Sequence, residues 1–98
     1  MEKKEIDYSN KRFREALKDL FKVTGLSQAE IARRMDLHEA RISQILRQKM
    51  VSLETMEHLA KAFEISPSYF LEYRIHKAEE AMKKNPKLLE RLADVIQW

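Results

Sequence analysis

Cysteine is absent from this chain, glycine occurs once and proline twice in 98 residues. Without cysteine there is no disulfide frame, no thiol nucleophile and no thiolate zinc site, which makes a cytoplasmic protein the default expectation. So little glycine and proline leaves few places for tight turns or hairpins and favours helices. No apolar run approaches a membrane span in length, so no membrane partner is expected. Met1-Glu2-Lys3-Lys4 is not followed by the apolar core of a signal peptide. A glycine-rich phosphate loop, a nucleophile elbow and a clustered carboxylate pair are also missing, so an enzyme is not expected. His38, His58 and His76 are scattered. Glu54/His58 and Glu72/His76 are four apart, the spacing of ordinary helix-surface pairs, and no metal or other cofactor is expected.

What the chain does have is charge: 36% of its residues are Asp, Glu, Lys or Arg, beside an ordinary 44% hydrophobic content. The length suits one domain, near the lower limit for a self-sufficient core. The net charge of +3 is unevenly spread, with 12 Lys/Arg against 8 Asp/Glu in residues 1–50 and 2 against 4 in residues 51–75. Positive charge concentrated in the first half fits a polyanionic partner.

Residues 1–8 show no periodicity and read as a flexible arm. Phe13, Ala16, Leu17, Leu20 and Phe21 then form the stripe of an amphipathic helix, with Ser9 or Asn10 as its cap and Gly25 as its left-handed stop. Ser27-Gln28-Ala29-Glu30 is a capping box, in which Ser27 accepts from the N–H three residues on and Glu30 reaches back. It opens a two-turn helix, about 27–35, with Ile31, Ala32 and Met35 inward. Asp36 is expected to turn left-handed and Leu37 to plug that turn. A third helix, about 38–48, places Ile42, Ile45 and Leu46 on one side and Ala40, Gln44 and Arg47 opposite, with Arg41, Ser43 and Gln48 flanking. Such an outer face suits a DNA major groove: Gln pairs with adenine, Arg with guanine or phosphate, and an alanine methyl meets a thymine methyl.

Ser52 caps a fourth helix with the stripe Leu53, Met56, Leu59, Ala60 and Phe63. Ser66-Pro67 marks the start of a fifth, carrying Tyr69, Phe70 and Leu71. Helical patterning continues from Tyr73 to Lys84 with Ile75, Ala78 and Met82 on one side. Asn85-Pro86 breaks it, and Leu88, Leu89, Leu92, Ala93 and Ile96 suggest a last helix.

Residues 10–72 resemble the phage repressor and Cro type of DNA-binding domain, the XRE family of helix-turn-helix regulators. The matching positions are Gln28, Ala32, Ile42 and Ile45, followed by LETMEHLAKAFEISPSYFLEY. The chain departs at Asp36, where the family most often has glycine. The resemblance implies an all-α, five-helix repressor-like domain over residues 9–72, extended by one or two C-terminal helices over residues 73–98. It also implies base reading by His38, Glu39, Ala40, Arg41 and Gln44. Phosphate contacts would fall on Ser27, Gln28, Arg33, Ser43, Arg47 and Lys49. Glu39 repels phosphates unless it accepts from a cytosine amino group.

A single recognition helix touches too few base pairs to select one genomic site, so a homodimer is expected, with Leu88, Leu89, Leu92 and Ile96 as its interface. The same helices could instead complete the monomer core. The expected function is transcriptional repression by occluding polymerase, since the chain has no room for a ligand-sensing domain. Two other readings stay open: an antitoxin that holds a toxin partner and represses its own operon, and a protein-binding adaptor on the same scaffold.

Overall fold

Five α-helices and one 3-10 turn are described in full, and residues 86–87 and 90–91, past the end of the last of them, are helical as well. The coordinates are a computed structural model that describes residues 6–87 and 90–91. The helices are α1 (Phe13–Thr24), α2 (Gln28–Arg34), α3 (Glu39–Arg47), α4 (Leu53–Phe63) and α5 (Leu71–Lys84), with the 3-10 turn Pro67–Tyr69 before α5. The apolar stripes of α1 to α4 converge on one core, with Phe13, Leu17 and Leu20 of α1 facing Ile31, Ile42 and Ile45 of the α2–α3 pair. Met56, Leu59 and Phe63 of α4 and the Tyr69–Phe70 pair join the same core. Phe13 and Phe70 rings lie 5.2 Å apart, and Phe21 meets Phe63 edge-on at 5.1 Å, both within the range in which aromatic pairs attract.

The start of α1 differs from the expectation. Ser9 accepts from the Lys11 N–H, and Asn10 accepts from Arg74, so neither caps the helix. The cap position is Arg12, which makes no side-chain capping bond. The Phe13 N–H instead donates to Glu72 Oε2 at 2.9 Å, a carboxylate supplied by α5. At the other end, Gly25 takes φ 70° and its N–H returns to the Phe21 carbonyl, as expected of a left-handed stop.

The expected loose arm is held from Ile6 onward, and residues 1–5 lie outside the described residues. Ile6 packs on the core. The Ser9 N–H donates to the Tyr69 carbonyl at 3.0 Å. Arg74 donates to the Ser9 carbonyl at 2.7 Å and stacks over Tyr8. Tyr69 is anchored in turn by its hydroxyl, which donates to the Ala16 carbonyl at 2.9 Å.

Both ends of the α2–α3 turn follow from local sequence, with two corrections. The Glu30 N–H donates to Ser27 Oγ at 3.1 Å, but the Glu30 carboxylate does not reach back and binds Arg33 and Arg34 instead. Two nearby guanidinium groups outbid one backbone N–H for a carboxylate, because charge-assisted bonds are the stronger. Asp36 has φ 57°, and the Leu37 N–H donates to the Ala32 carbonyl at 2.8 Å, closing α2 in the Schellman manner. Leu37 closes the turn through this backbone bond, while its side chain stays 40% exposed.

Helix α4 is capped by Ser52, which accepts from the Thr55 N–H at 3.1 Å. It ends like α2, but on Glu64 at φ 61°, with the Ile65 N–H donating to the Ala60 carbonyl at 2.9 Å. A left-handed glutamate crowds its own Cβ and gains no local bond of the kind Asp can make. Glu64→Gly is therefore expected to stabilise the fold by about 0.5–1 kcal/mol, allowing for the greater unfolded-state entropy of glycine. A higher urea midpoint with an unchanged slope would verify this, whereas a lower midpoint would show that the site is not strained.

Ser66-Pro67 does not start a long helix. It caps one 3-10 turn, after which Phe70 is extended (ψ 129°) and inserts its ring into the core before α5 begins at Leu71. Helix α5 runs unbroken through residues 72 and 73, and past Tyr73 none of its residues is buried. Ile75 is 49% exposed, Ala78 is exposed and Met82 half-buried, so their stripe lies away from the core. Asn85 ends α5, as the following proline requires. Leu88, Leu89, Leu92 and Ile96 lie outside the described residues.

Candidate nucleic-acid interface

Helix α3 is nine residues long, too short to be stable alone, so its position is set by what it packs on. Ile42 and Ile45 are fully enclosed and Leu46 is half-buried. Their burial leaves Glu39, Ala40, Arg41, Gln44 and Arg47 exposed, with His38 exposed at the cap position. All five residues expected to read bases thus share the outer part of this one short helix and its cap. Three cations, Arg41, Arg47 and Lys49, stand here against the single carboxylate of Glu39. Glu39 also begins α3, where a negative charge complements the helix dipole.

Two of these side chains are bonded to each other: Arg41 Nη1 donates to Gln44 Oε1 at 2.8 Å. The gap of three residues places them on adjacent turns. Gln44 keeps its amide N–H2 free to donate, and its oxygen retains one lone pair.

Among the residues expected to meet phosphate, Ser43 Oγ donates to Gln28 Oε1 at 2.8 Å, locking the first residue of α2 to α3. With that oxygen engaged, the Gln28 amide N–H2 and the free N–H groups of the first turn of α2 are the donors that end of the helix can offer. Ser27 uses its oxygen as the cap acceptor and keeps its own proton to donate. Arg33 grips the Glu30 carboxylate through both Nε and Nη2. Arg33, and then Arg34, hold the Glu30 carboxyl below the usual carboxylate range. This pairing therefore persists at neutral pH and is lost only as the pH falls through that lowered pKa. The Arg33 charge is thus already countered, whereas among the described residues no carboxylate pairs with Arg47 or Lys49, both exposed.

Three supporting residues were not signalled by local sequence. Arg14 Nη2 on α1 donates to the Arg47 carbonyl at 2.9 Å, placing a cation on the C-terminal end of α3. Arg34 Nη1 donates to the Ala62 carbonyl at 2.8 Å and ties α2 to α4. Glu72 fixes the start of α1, the helix from which Arg14 projects. These are pairs 28 to 59 residues apart in the chain, beyond the reach of periodicity or capping rules.

Among the described residues, no group of three His, Cys, Asp or Glu side chains could hold a metal ion, and no helix is long and apolar enough to cross a membrane. A family model described as helix-turn-helix matches residues 17–70, from within α1 to the residue before α5. No curated protein and no solved structure matches the chain significantly.

Proposed function

The chain belongs to the XRE family of helix-turn-helix DNA-binding regulators, and from that premise we propose that it is a repressor that binds operator DNA as a homodimer with α3 in the major groove. One observation carries this reading. The two isoleucines that bury α3 leave Ala40, Arg41 and Gln44 outward, and the end of α2 bearing Gln28 is bonded to that same helix. Base readers and a phosphate anchor are thereby held in one rigid unit, as groove recognition demands.

Base contacts are assigned to His38, Glu39, Ala40, Arg41 and Gln44. Phosphate contacts fall on Ser27, Gln28, Arg47 and Lys49, with Ser43 holding Gln28 in place and Arg33 contributing only the charge that Glu30 leaves uncountered. A nine-residue helix reaches only a few base pairs, so useful selectivity needs a second copy related by two-fold symmetry. Leu88, Leu89, Leu92 and Ile96 are the residues proposed to pair the copies. A dimer seated on an operator represses by blocking polymerase.

The test is binding to random duplex DNA across a salt series. Affinity should fall steeply with salt, and Arg47→Ala should flatten the log–log slope by about one unit while weakening all sequences alike. Affinity independent of salt, or absent at low salt, would remove DNA as the partner. Light scattering of the free protein should give the mass of two chains, and a strictly monomeric mass at micromolar concentration would contradict the proposed pairing.

A further inference from the structure

Arg12 occupies the cap position of α1 in extended backbone, but its side chain makes no capping bond. Its guanidinium is exposed and, among the described residues, has no hydrogen-bond or ion-pair partner. The neighbouring Lys11 is exposed as well, yet it is bound to Asp19 at 2.7 Å. Arg14, two residues on, donates to the Arg47 carbonyl. Of these three cations at the start of α1, Arg12 alone is uncommitted, and its charge persists throughout the physiological pH range.

The place of this free cation is fixed by its neighbours. The Phe13 N–H, in the peptide bond that follows Arg12, is held by Glu72 Oε2 at 2.9 Å. The Arg14–Arg47 bond, also 2.9 Å, joins the first turn of α1 to the C-terminal end of α3. Arg12 and Lys49 line one cleft between the start of α1 and the α3–α4 connection, and both are exposed. Arg12 therefore continues onto α1 the run of cations that Arg47 and Lys49 form at the end of α3. Glu15 and Glu72 line the same cleft. Glu72 is only 8% exposed with its Oε2 engaged, so of these two carboxylates Glu15 alone is exposed. Exposed positive charge thus prevails there, and a polyanion is the partner it fits.

We propose that Arg12 binds a phosphate of the operator backbone beside the one assigned to Lys49, so that α1 holds the duplex together with the α2–α3 pair. Resting on the DNA-binding reading, this contact lies outside the stretch from Ser27 to Lys49 that holds the other phosphate contacts. A DNA strand carries a phosphate about every 3.4 Å of helix axis, so a strand that reaches Lys49 offers the adjoining cation one of its own. The guanidinium fork fits a phosphate bidentately. Such a contact strengthens binding to every sequence alike and holds the C-terminal end of α3 in register, without reading a base.

The contact is tested by duplex binding of the full chain across a salt series, first with mixed-sequence DNA. Arg12→Ala should flatten the log–log slope by about 0.9, which shrinks the wild-type advantage about threefold to fourfold between about 50 and 200 mM salt. Arg12→Lys keeps the charge and should keep the slope. Lys11→Ala changes the net charge equally but removes a cation already paired with Asp19, and should leave the slope within about 0.3 of the wild-type value. On the duplex recovered by site selection, uncharged methylphosphonates then replace the phosphates one at a time. One such replacement should weaken binding by the wild-type protein and leave binding by Arg12→Ala unaffected. An unchanged slope in Arg12→Ala, equal flattening by Lys11→Ala, or no phosphate that loses its effect in Arg12→Ala would overturn the contact. The DNA reading survives those results if wild-type affinity falls with salt and Arg47→Ala flattens that fall, whereas wild-type affinity that is absent or independent of salt removes both.

Discussion

Ile42→Ala is expected to cost about 2–5 kcal/mol of folding stability, as truncation of an enclosed isoleucine does when its surroundings cannot collapse. Ile42 has no exposed surface and sits where α3 meets α1 and α2. The whole stability of a domain of this kind is about 5–15 kcal/mol, so the loss is a large share of it. It should fall first on α3, which two isoleucines, half-buried Leu46 and the Arg14–Arg47 bond hold in place. Urea melts give the total. Hydrogen exchange at the amides of residues 42–47 should show protection falling further there than in α4. A loss below about 1 kcal/mol would mean that α3 is not anchored through Ile42, contrary to its burial.

Arg41→Ala and Gln44→Ala should each cost about 1–3 kcal/mol of operator affinity and relax preference at one or two base pairs. Their bond in the free protein adds a sharper expectation. Arg41 holds Gln44 Oε1 and thereby presents the Gln44 amide in one orientation, with its N–H2 available and one lone pair of its oxygen remaining. Removing Arg41 frees that amide to turn, so much of what Gln44 contributes is lost with Arg41. The double variant should therefore cost less than the sum of the singles, by about 0.5–2 kcal/mol. Strict additivity would show that the two side chains read independently.

The parts of this molecule that were legible in sequence are those whose cause is local. Ser27 and Ser52 cap helices with the N–H three residues on. Gly25 and Asp36 take the left-handed turns expected of them, and Ile42 and Ile45 lie inward as the helical period requires. Local rules failed where a distant group offered the better partner. Ser9 and Asn10 were plausible caps for α1, but the carboxylate of Glu72, 59 positions away, takes the Phe13 N–H. Glu30 completes the spacing of a capping box, yet two arginines one turn on compete for it and win. Phe70 falls in a run that reads as helix, but an extended link allows its ring to reach Phe13. In the candidate interface, residue types and spacing pointed to the outer face of α3. They did not reveal that Arg41 and Gln44 are joined, that Ser43 is bonded to Gln28, or that Arg14 secures the end of the helix.

The most direct test of the central claim, that α3 reads DNA sequence, is selection of bound sites from a pool of random duplex DNA by the full chain. The account predicts enrichment of a palindrome whose half-sites lie about one helical turn apart, or a multiple of it, with base preference relaxed in the Arg41→Ala and Gln44→Ala variants. A pool that stays random, or an enriched site that both variants select unchanged, would contradict it.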